Sequence, residues 1–135
     1  VVGAAMACYH SSLTYAKSRI AFGKPIAGFQ LIQDKLVWML NEITKAQLLC
    51  WRLGKIKDQK TLRPQHVSLA KRNNCEMALT IARMSREIHG ANGILDEYPV
   101  MRHAANLESV KTYEGTHEMH TLIIGQDITG ENAFA

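Results

Sequence analysis

The chain has 135 residues, enough for one hydrophobic core but not for two. Hydrophobic residues make up 47% and charged residues 21%, a balance that excludes wholesale disorder. The 16 basic and 12 acidic residues leave a formal charge of +4. The basic residues are scattered from Lys17 and Lys24 through Lys71 and Arg72 to Arg102, with no aromatic ladder among them. Solvated helix faces and a few anion contacts are therefore expected, and nucleic acid is not.

Cys8, Cys50 and Cys75 form no CxxC pair and are odd in number. Neither chelation nor a disulfide framework is expected, and a reducing compartment fits. The longest uncharged run, residues 1–16, is broken by Tyr9, His10, Ser11 and Ser12. It is too short and polar to span a bilayer, so no membrane role is expected. "VVGAAMAC" is a poor signal peptide, and a helical pattern starts at once with no cap before it. The chain is expected to be a piece of a longer protein.

Helical periodicity dominates from one end to the other. The first helix is expected from Val1 to about Phe22, with Ala4, Cys8, Ser11 or Ser12, Tyr15 and Arg19 along one stripe. "GKPIAG" (23–28) breaks it. The second helix runs from about Phe29 to Lys57, its core stripe being Phe29, Ile32, Leu36, Leu40, Ile43, Gln47, Cys50 and Leu53. A polar loop ends at Pro64, which suits the start of a helix. The third helix covers about Gln65 to His89, with Val67, Ala70, Asn74, Met77, Ile81, Met84 and Ile88 as its seam and Asn74 as the oddity. "HGANGI" (89–94) stops it, with Gly90 or Gly93 free to take positive φ. A shorter helix over Val100 to Val110 precedes the irregular link "KTYEG". Thr116 then N-caps a last helix through about Ile128, with Glu118 in its first turn and Gly130 closing it. No strand is expected. Long helices on short loops predict an all-α antiparallel bundle spanning residues 1–135.

Four stretches carry candidate chemistry. "HEMH" (117–120) is one residue short of a zinc-protease motif and has no evident third ligand, so a metal site is the weaker reading. "HGANGI" has glycines but follows a helix, which excludes a Rossmann loop and leaves a helix stop or a backbone-lined ligand contact. "RIAFGKP" (19–25) places Arg19 at a helix end, where its fork suits a pyrophosphate or simply faces water. Glu114 stands between Tyr113 and Gly115. Glycine permits close approach to the backbone, and an apolar hollow turns a carboxylate into a useful base. The plain alternative is a solvated glutamate ahead of a helix.

Taken together, "YAKSRIAFGKPI", "FQ", "HGANGI" and "YEGTHEM" resemble, in order and spacing, the carboxy-terminal domain of the acyl-CoA dehydrogenases. The resemblance covers essentially the whole chain. "KRNNC", "DEYPVMRH", "NLESVKTYEGTHEMH" and "ITGENAFA" are most similar to the branch that acts on glutaryl-CoA. It implies a helical bundle packed against two further domains, FAD as cofactor, and an acyl-CoA substrate. It also implies a homotetramer with FAD sites shared between subunits, and electron-transfer flavoprotein as acceptor. Bacterial cytoplasm or mitochondrial matrix is the implied location.

Residue by residue, the resemblance makes Glu114 the base that removes the α-proton, with Gly115 and Tyr113 at the substrate. Arg19, Phe22 and Gln30 become FAD contacts. Glu87, Ile88, His89, Gly90 and Ala91 resemble a stretch that meets FAD across a subunit boundary. Thr116, His117, Glu118 and Phe134 resemble further FAD contacts. Ala91 departs from the family's usual glycine. The implied chemistry passes a hydride from the β-carbon to the flavin and ends, in the glutaryl branch, with loss of CO2 and release of crotonyl-CoA. Another short-chain acyl-CoA dehydrogenase, a non-catalytic helical assembly module and a zinc hydrolase are the competing readings.

Overall fold

The computed structural model describes residues 1–134. Five helices carry the fold: α1 (Val2–Ser18), α2 (Gln30–Asp58), α3 (Pro64–His89), α4 (Val100–Thr112) and α5 (His117–Thr129). The bundle is all-α apart from a hairpin of two-residue strands, β1 (Ile20–Ala21) and β2 (Lys24–Pro25). α3 lies at the centre and packs against each of the other four helices.

The hairpin corrects the expected end of the first helix. α1 stops at Ser18, four residues before Phe22, because the chain turns back on itself. Phe22 and Gly23 both take positive φ (52° and 78°) between the paired strands. Two such residues make the mirror-image turn that matches strand twist. Phe22 is thereby held in the left-handed region and stands 96% exposed.

Two of the expected seams are shifted. α1 buries Ala5, Cys8, Ser12 and Ala16, one residue round from the stripe through Ala4 and Tyr15. Small residues there let α1 approach α3 closely. On α2 the buried set is Leu36, Met39, Ile43, Ala46 and Ile56, whereas Leu40, Gln47 and Cys50 are exposed. On α3, Val67 is exposed and the remaining seam residues are buried or half-buried. Asn74 is buried and satisfied: its amide donates to Cys50 Sγ (3.3 Å) and its Oδ1 accepts from Asn73 (3.0 Å).

Polar groups inside the α1–α3 interface pair with one another, as burial requires. The Ser12 and Ser85 hydroxyls are 2.7 Å apart, and both reach the Cys8 carbonyl. α4 continues two residues past Val110, so Lys111 and Thr112 belong to the helix rather than to the link. α5 ends as its sequence implies, with Gly130 left-handed at φ 76°.

The stop after α3 divides its two glycines by mechanism. Gly90 takes φ 59°, ψ −134°, a conformation open to glycine alone. Gly93 has no positive φ, yet a Cβ there would stand 2.6 Å from the Arg86 carbonyl oxygen. One glycine permits the turn and the other permits the close packing.

Candidate active-site turn and an open groove

Tyr113 leaves α4 in extended conformation, and its N–H still reaches the Ser109 carbonyl (3.0 Å). Glu114 and Gly115 then both take positive φ, 52° and 93°. A glutamate in the left-handed region is uncommon and calls for outside support. Thr116 returns to extended geometry and caps α5, its hydroxyl accepting from the Met119 N–H (3.3 Å). Glu118 sits in the first turn of α5, where its own backbone N–H and the Thr116 hydroxyl lower its pKa.

Support for the turn comes from α3. The Lys71 ammonium donates to the Tyr113 carbonyl and, at 2.5 Å, to the Gly115 carbonyl. It also lies 5.7 Å from the centroid of the Tyr113 ring. His120 is buried beneath Gly115, and its Nδ1 lies 3.0 Å from the Ser68 hydroxyl. Lys71, Ser68 and His120 form a platform that sequence reasoning left unassigned. Lys71 had been one scattered basic residue among many, and nothing in the linear order pairs α3 with residues 113–115.

Glu114 itself is exposed. Among the described residues no donor meets its carboxylate and no acceptor meets its backbone N–H. The apolar hollow expected around it is not built by the described residues. Chemically, the turn presents a free carboxylate and a free N–H side by side, next to a glycine without a side chain.

His117 and His120 do not converge on one point. His117 Nδ1 faces Glu76 Oε2 at 4.0 Å, beside the Lys111–Glu76 ion pair of 2.6 Å. His120 turns the other way, to Ser68 and Gly115. His120 Nδ1 meets Ser68, whereas His117 Nδ1 has no hydrogen-bond partner among the described residues. His117 was expected at a cofactor, but its side chain packs inward between α3, α4 and α5.

The second group of predicted residues gathers at the other end of α3. Arg19, Glu87, Ile88, His89, Gly90 and Ala91 line one open groove. Phe22 and Gln30 line an adjoining apolar groove, and Ile26 belongs to both. Arg19 is fixed at its backbone, its N–H bonded to the Tyr15 carbonyl (2.8 Å) and its carbonyl to the Ile26 N–H (2.9 Å). Among the described residues no carboxylate pairs with its guanidinium.

Two side chains in this group are otherwise engaged. His89 is buried, stacked on Tyr15 at 4.5 Å, with Nδ1 2.7 Å from the Ser85 carbonyl and Nε2 3.0 Å from the Ser11 hydroxyl. A carbonyl can only accept, so Nδ1 carries the proton and Nε2 accepts from Ser11 in the neutral ring. Only the backbone of His89 remains for a ligand. The Glu87 carboxylate pairs with Lys35, whose hydrogen bond lowers its pKa. That pairing offsets a charge that would repel an anion in the groove.

These residues fit a dinucleotide such as FAD. An unpaired guanidinium lies beside a backbone that Gly90 leaves bare, with nothing within 4 Å of the position a Cβ would take. Phe22, held outward by its turn, offers an aromatic face next door. Thr116, His117 and Glu118 instead go with the Glu114 turn, and Phe134 lines neither groove. From Lys71 to His89 along α3 is about 27 Å at 1.5 Å per residue, so the two groups lie at opposite ends of one helix.

Residues 1–129 match the family model "Acyl-CoA dehydrogenase, C-terminal domain". The chain belongs to the acyl-CoA dehydrogenase C-terminal domain family. It is 35% identical over 123 residues to the mitochondrial short-chain specific acyl-CoA dehydrogenase of Bos taurus, covering 91% of this chain and 30% of that protein. Among solved structures, a glutaryl-CoA dehydrogenase from Mycobacterium smegmatis is 57% identical with a TM-score of 0.97, covering 99% of this chain and 35% of that one. A second one from the same organism, in complex with FADH2, is 48% identical with the same TM-score, and 99% of this chain covers 35% of it. The chain thus spans about a third of the length of the acyl-CoA dehydrogenases it matches. The all-α bundle expected from the sequence is the family's own fold.

Proposed function

We propose that this chain is the carboxy-terminal domain of a longer FAD-dependent acyl-CoA dehydrogenase acting on glutaryl-CoA. The observation that carries the reading is the turn at Glu114. Among the described residues no donor meets its carboxylate and no acceptor meets its N–H, and the carboxylate stands exposed. An acyl-CoA thioester needs those two groups together. The Glu114 carboxylate takes the α-proton. The Glu114 N–H donates to the thioester oxygen, where negative charge develops as the proton leaves. FAD, when bound, supplies the acceptor for the hydride from the β-carbon. With glutaryl-CoA the unsaturated product then loses CO2 to give crotonyl-CoA. The choice of glutaryl-CoA rests on the likeness to the Mycobacterium smegmatis enzymes.

The separation along α3 supports a division of labour. The Glu114 end serves a substrate at one flavin, and the Arg19–Ala91 groove grips part of a flavin belonging to another subunit. Exposed apolar residues on α2, including Leu31, Val37, Leu40, Leu48 and Trp51, favour a homotetramer and contact with the domains that complete the enzyme. Electron-transfer flavoprotein is the proposed acceptor, in a bacterial cytoplasm or a mitochondrial matrix. No helix of the described residues is long and apolar enough to cross a membrane.

The test is Glu114→Gln in the full-length enzyme, mixed anaerobically with glutaryl-CoA while flavin bleaching is followed. The amide keeps the shape and removes the basic oxygen. Bleaching should slow by roughly 10²-fold or more while acyl-CoA and FAD still bind. Bleaching at the parental rate would remove Glu114 from the role of base.

A further inference from the structure

Lys71 differs from the other basic residues in where its charge ends. A helix lysine ordinarily keeps its ammonium in water. This one donates to two carbonyls of a single turn, those of Tyr113 and Gly115. Among the described residues no carboxylate pairs with it. Its position is secured from both sides, by the Tyr113 ring and by the helix that also carries Ser68 and, through Ser68, His120.

The two carbonyls bracket Glu114. The Tyr113 carbonyl shares a peptide unit with the Glu114 N–H. A cation held at a carbonyl oxygen draws electron density through the amide and makes its N–H a stronger donor. That N–H meets no acceptor among the described residues. A lysine that merely capped the end of α4 would bond the last helical carbonyls. Lys71 reaches past them, to the peptides beside the carboxylate.

We propose that Lys71 is a positioning residue for acyl-CoA oxidation: it polarises the Tyr113–Glu114 peptide, so that the Glu114 N–H binds the thioester oxygen most strongly as charge builds there. This inference rests on the acyl-CoA reading above. It places Lys71 behind the turn, touching neither substrate nor cofactor. The interaction is worth more in the transition state than in the ground state, so its loss falls on the limiting rate rather than on binding.

The experiment uses the full-length, FAD-loaded enzyme with Lys71→Met, Lys71→Arg and Glu114→Gln. Flavin reduction by glutaryl-CoA is one readout. The other is the infrared stretch of a ¹³C-labelled thioester carbonyl in bound 3-thiaglutaryl-CoA, which has sulfur at the β-position and no hydride to lose. Lys71→Met should lower the limiting reduction rate roughly 10-fold with half-saturation changed by no more than about 2-fold. It should also move the bound carbonyl stretch back towards its value in water. Lys71→Arg should restore most of both. If Lys71→Met does not fold, Lys71→Gln, a neutral donor of similar reach, is read in the same two ways. A parental rate in the Lys71 variant beside a slow Glu114→Gln overturns the role of Lys71 alone. A slow rate with an unmoved carbonyl stretch also overturns it. A parental rate in Glu114→Gln removes Glu114 from the role of base and overturns the role of Lys71 with it, whereas a parent enzyme whose flavin glutaryl-CoA does not reduce overturns the acyl-CoA reading itself.

Discussion

Gly115 is seated on the ring of His120: a Cβ at Gly115 would stand 3.0 Å from His120 Nε2 and 3.1 Å from Cε1. The sequence suggested that this glycine leaves room for another molecule, and it has a second reason to be glycine. The ring beneath it is buried and anchored through Nδ1 to Ser68. Burial first, and then the neighbouring Lys71 charge, hold the His120 pKa below its usual value. The ring is therefore neutral at pH 7 and adds no charge beneath the carboxylate.

Gly115→Ala should consequently damage both stability and catalysis. Its φ of 93° is strained for any residue with a Cβ, at a cost of about 1–3 kcal/mol. The added methyl also meets a ring that cannot retreat without leaving Ser68. The full-length variant should melt at a lower temperature and bleach its flavin more slowly with glutaryl-CoA. An unchanged melting temperature would mean that His120 yields easily.

The ion pair between Lys111 and Glu76 joins α4 to α3 beneath the same turn. The hydrogen bond from Lys111 is the main reason that the Glu76 pKa is lowered. A depressed carboxylate contributes stability above its unfolded pKa and loses it as pH falls through the folded value. Lys111→Met should therefore lower the melting temperature at pH 7, and the difference from the parent should shrink below the ordinary carboxylate value of 4.5. Both groups are partly exposed, so the effect at pH 7 should stay within about 1 kcal/mol. A difference that persists unchanged at pH 3 would assign the loss to packing of the lysine stem.

The helices were legible because their signals are local. Pro64 opens α3, Thr116 caps α5 and Gly130 closes it, each within a few residues of the boundary. The hairpin at 20–25 was missed because a two-residue strand carries no periodicity, and Phe22 gives no hint of positive φ. Arg19 and Glu114 were singled out because each sits in a distinctive run. Lys71 was not, since its partners are 42 and 44 residues away and only the docking of α3 against the turn unites them. His89 lines the groove, and sequence alone does not say that its side chain is buried there.

The 135-residue chain by itself should bind FAD weakly and dehydrogenate nothing. Both grooves are open to solvent and Glu114 is exposed, so the walls that exclude water from a flavin site must come from elsewhere. Equilibrium dialysis of the purified chain against FAD measures this. Stoichiometric retention of FAD through dialysis would mean that the groove at Arg19 and Gly90 is a complete site.

Arg19 gives the sharpest test of that groove. Its backbone is pinned by the turn of β1 and β2, so its side chain starts from a fixed point. Its guanidinium has no carboxylate partner among the described residues, whereas the nearby Glu87 is neutralised by Lys35. That pattern leaves one uncompensated cation facing a bare backbone, the arrangement a pyrophosphate requires. Arginine offers two parallel N–H donors in a rigid plane, and lysine offers a mobile point charge. Arg19→Lys in the full-length enzyme should therefore raise the dissociation constant for FAD by about 10-fold, measured by flavin fluorescence on dilution. Lys35→Met should weaken FAD in the same direction, because it frees the Glu87 carboxylate in the groove. The melting temperature of the FAD-free form should not move with Arg19→Lys, whose guanidinium makes no ion pair among the described residues, if that side chain acts on the cofactor rather than on the fold. Flavin retention equal to the parent in Arg19→Lys would rule out a bidentate grip, and equal retention in both variants would take the groove out of the flavin site.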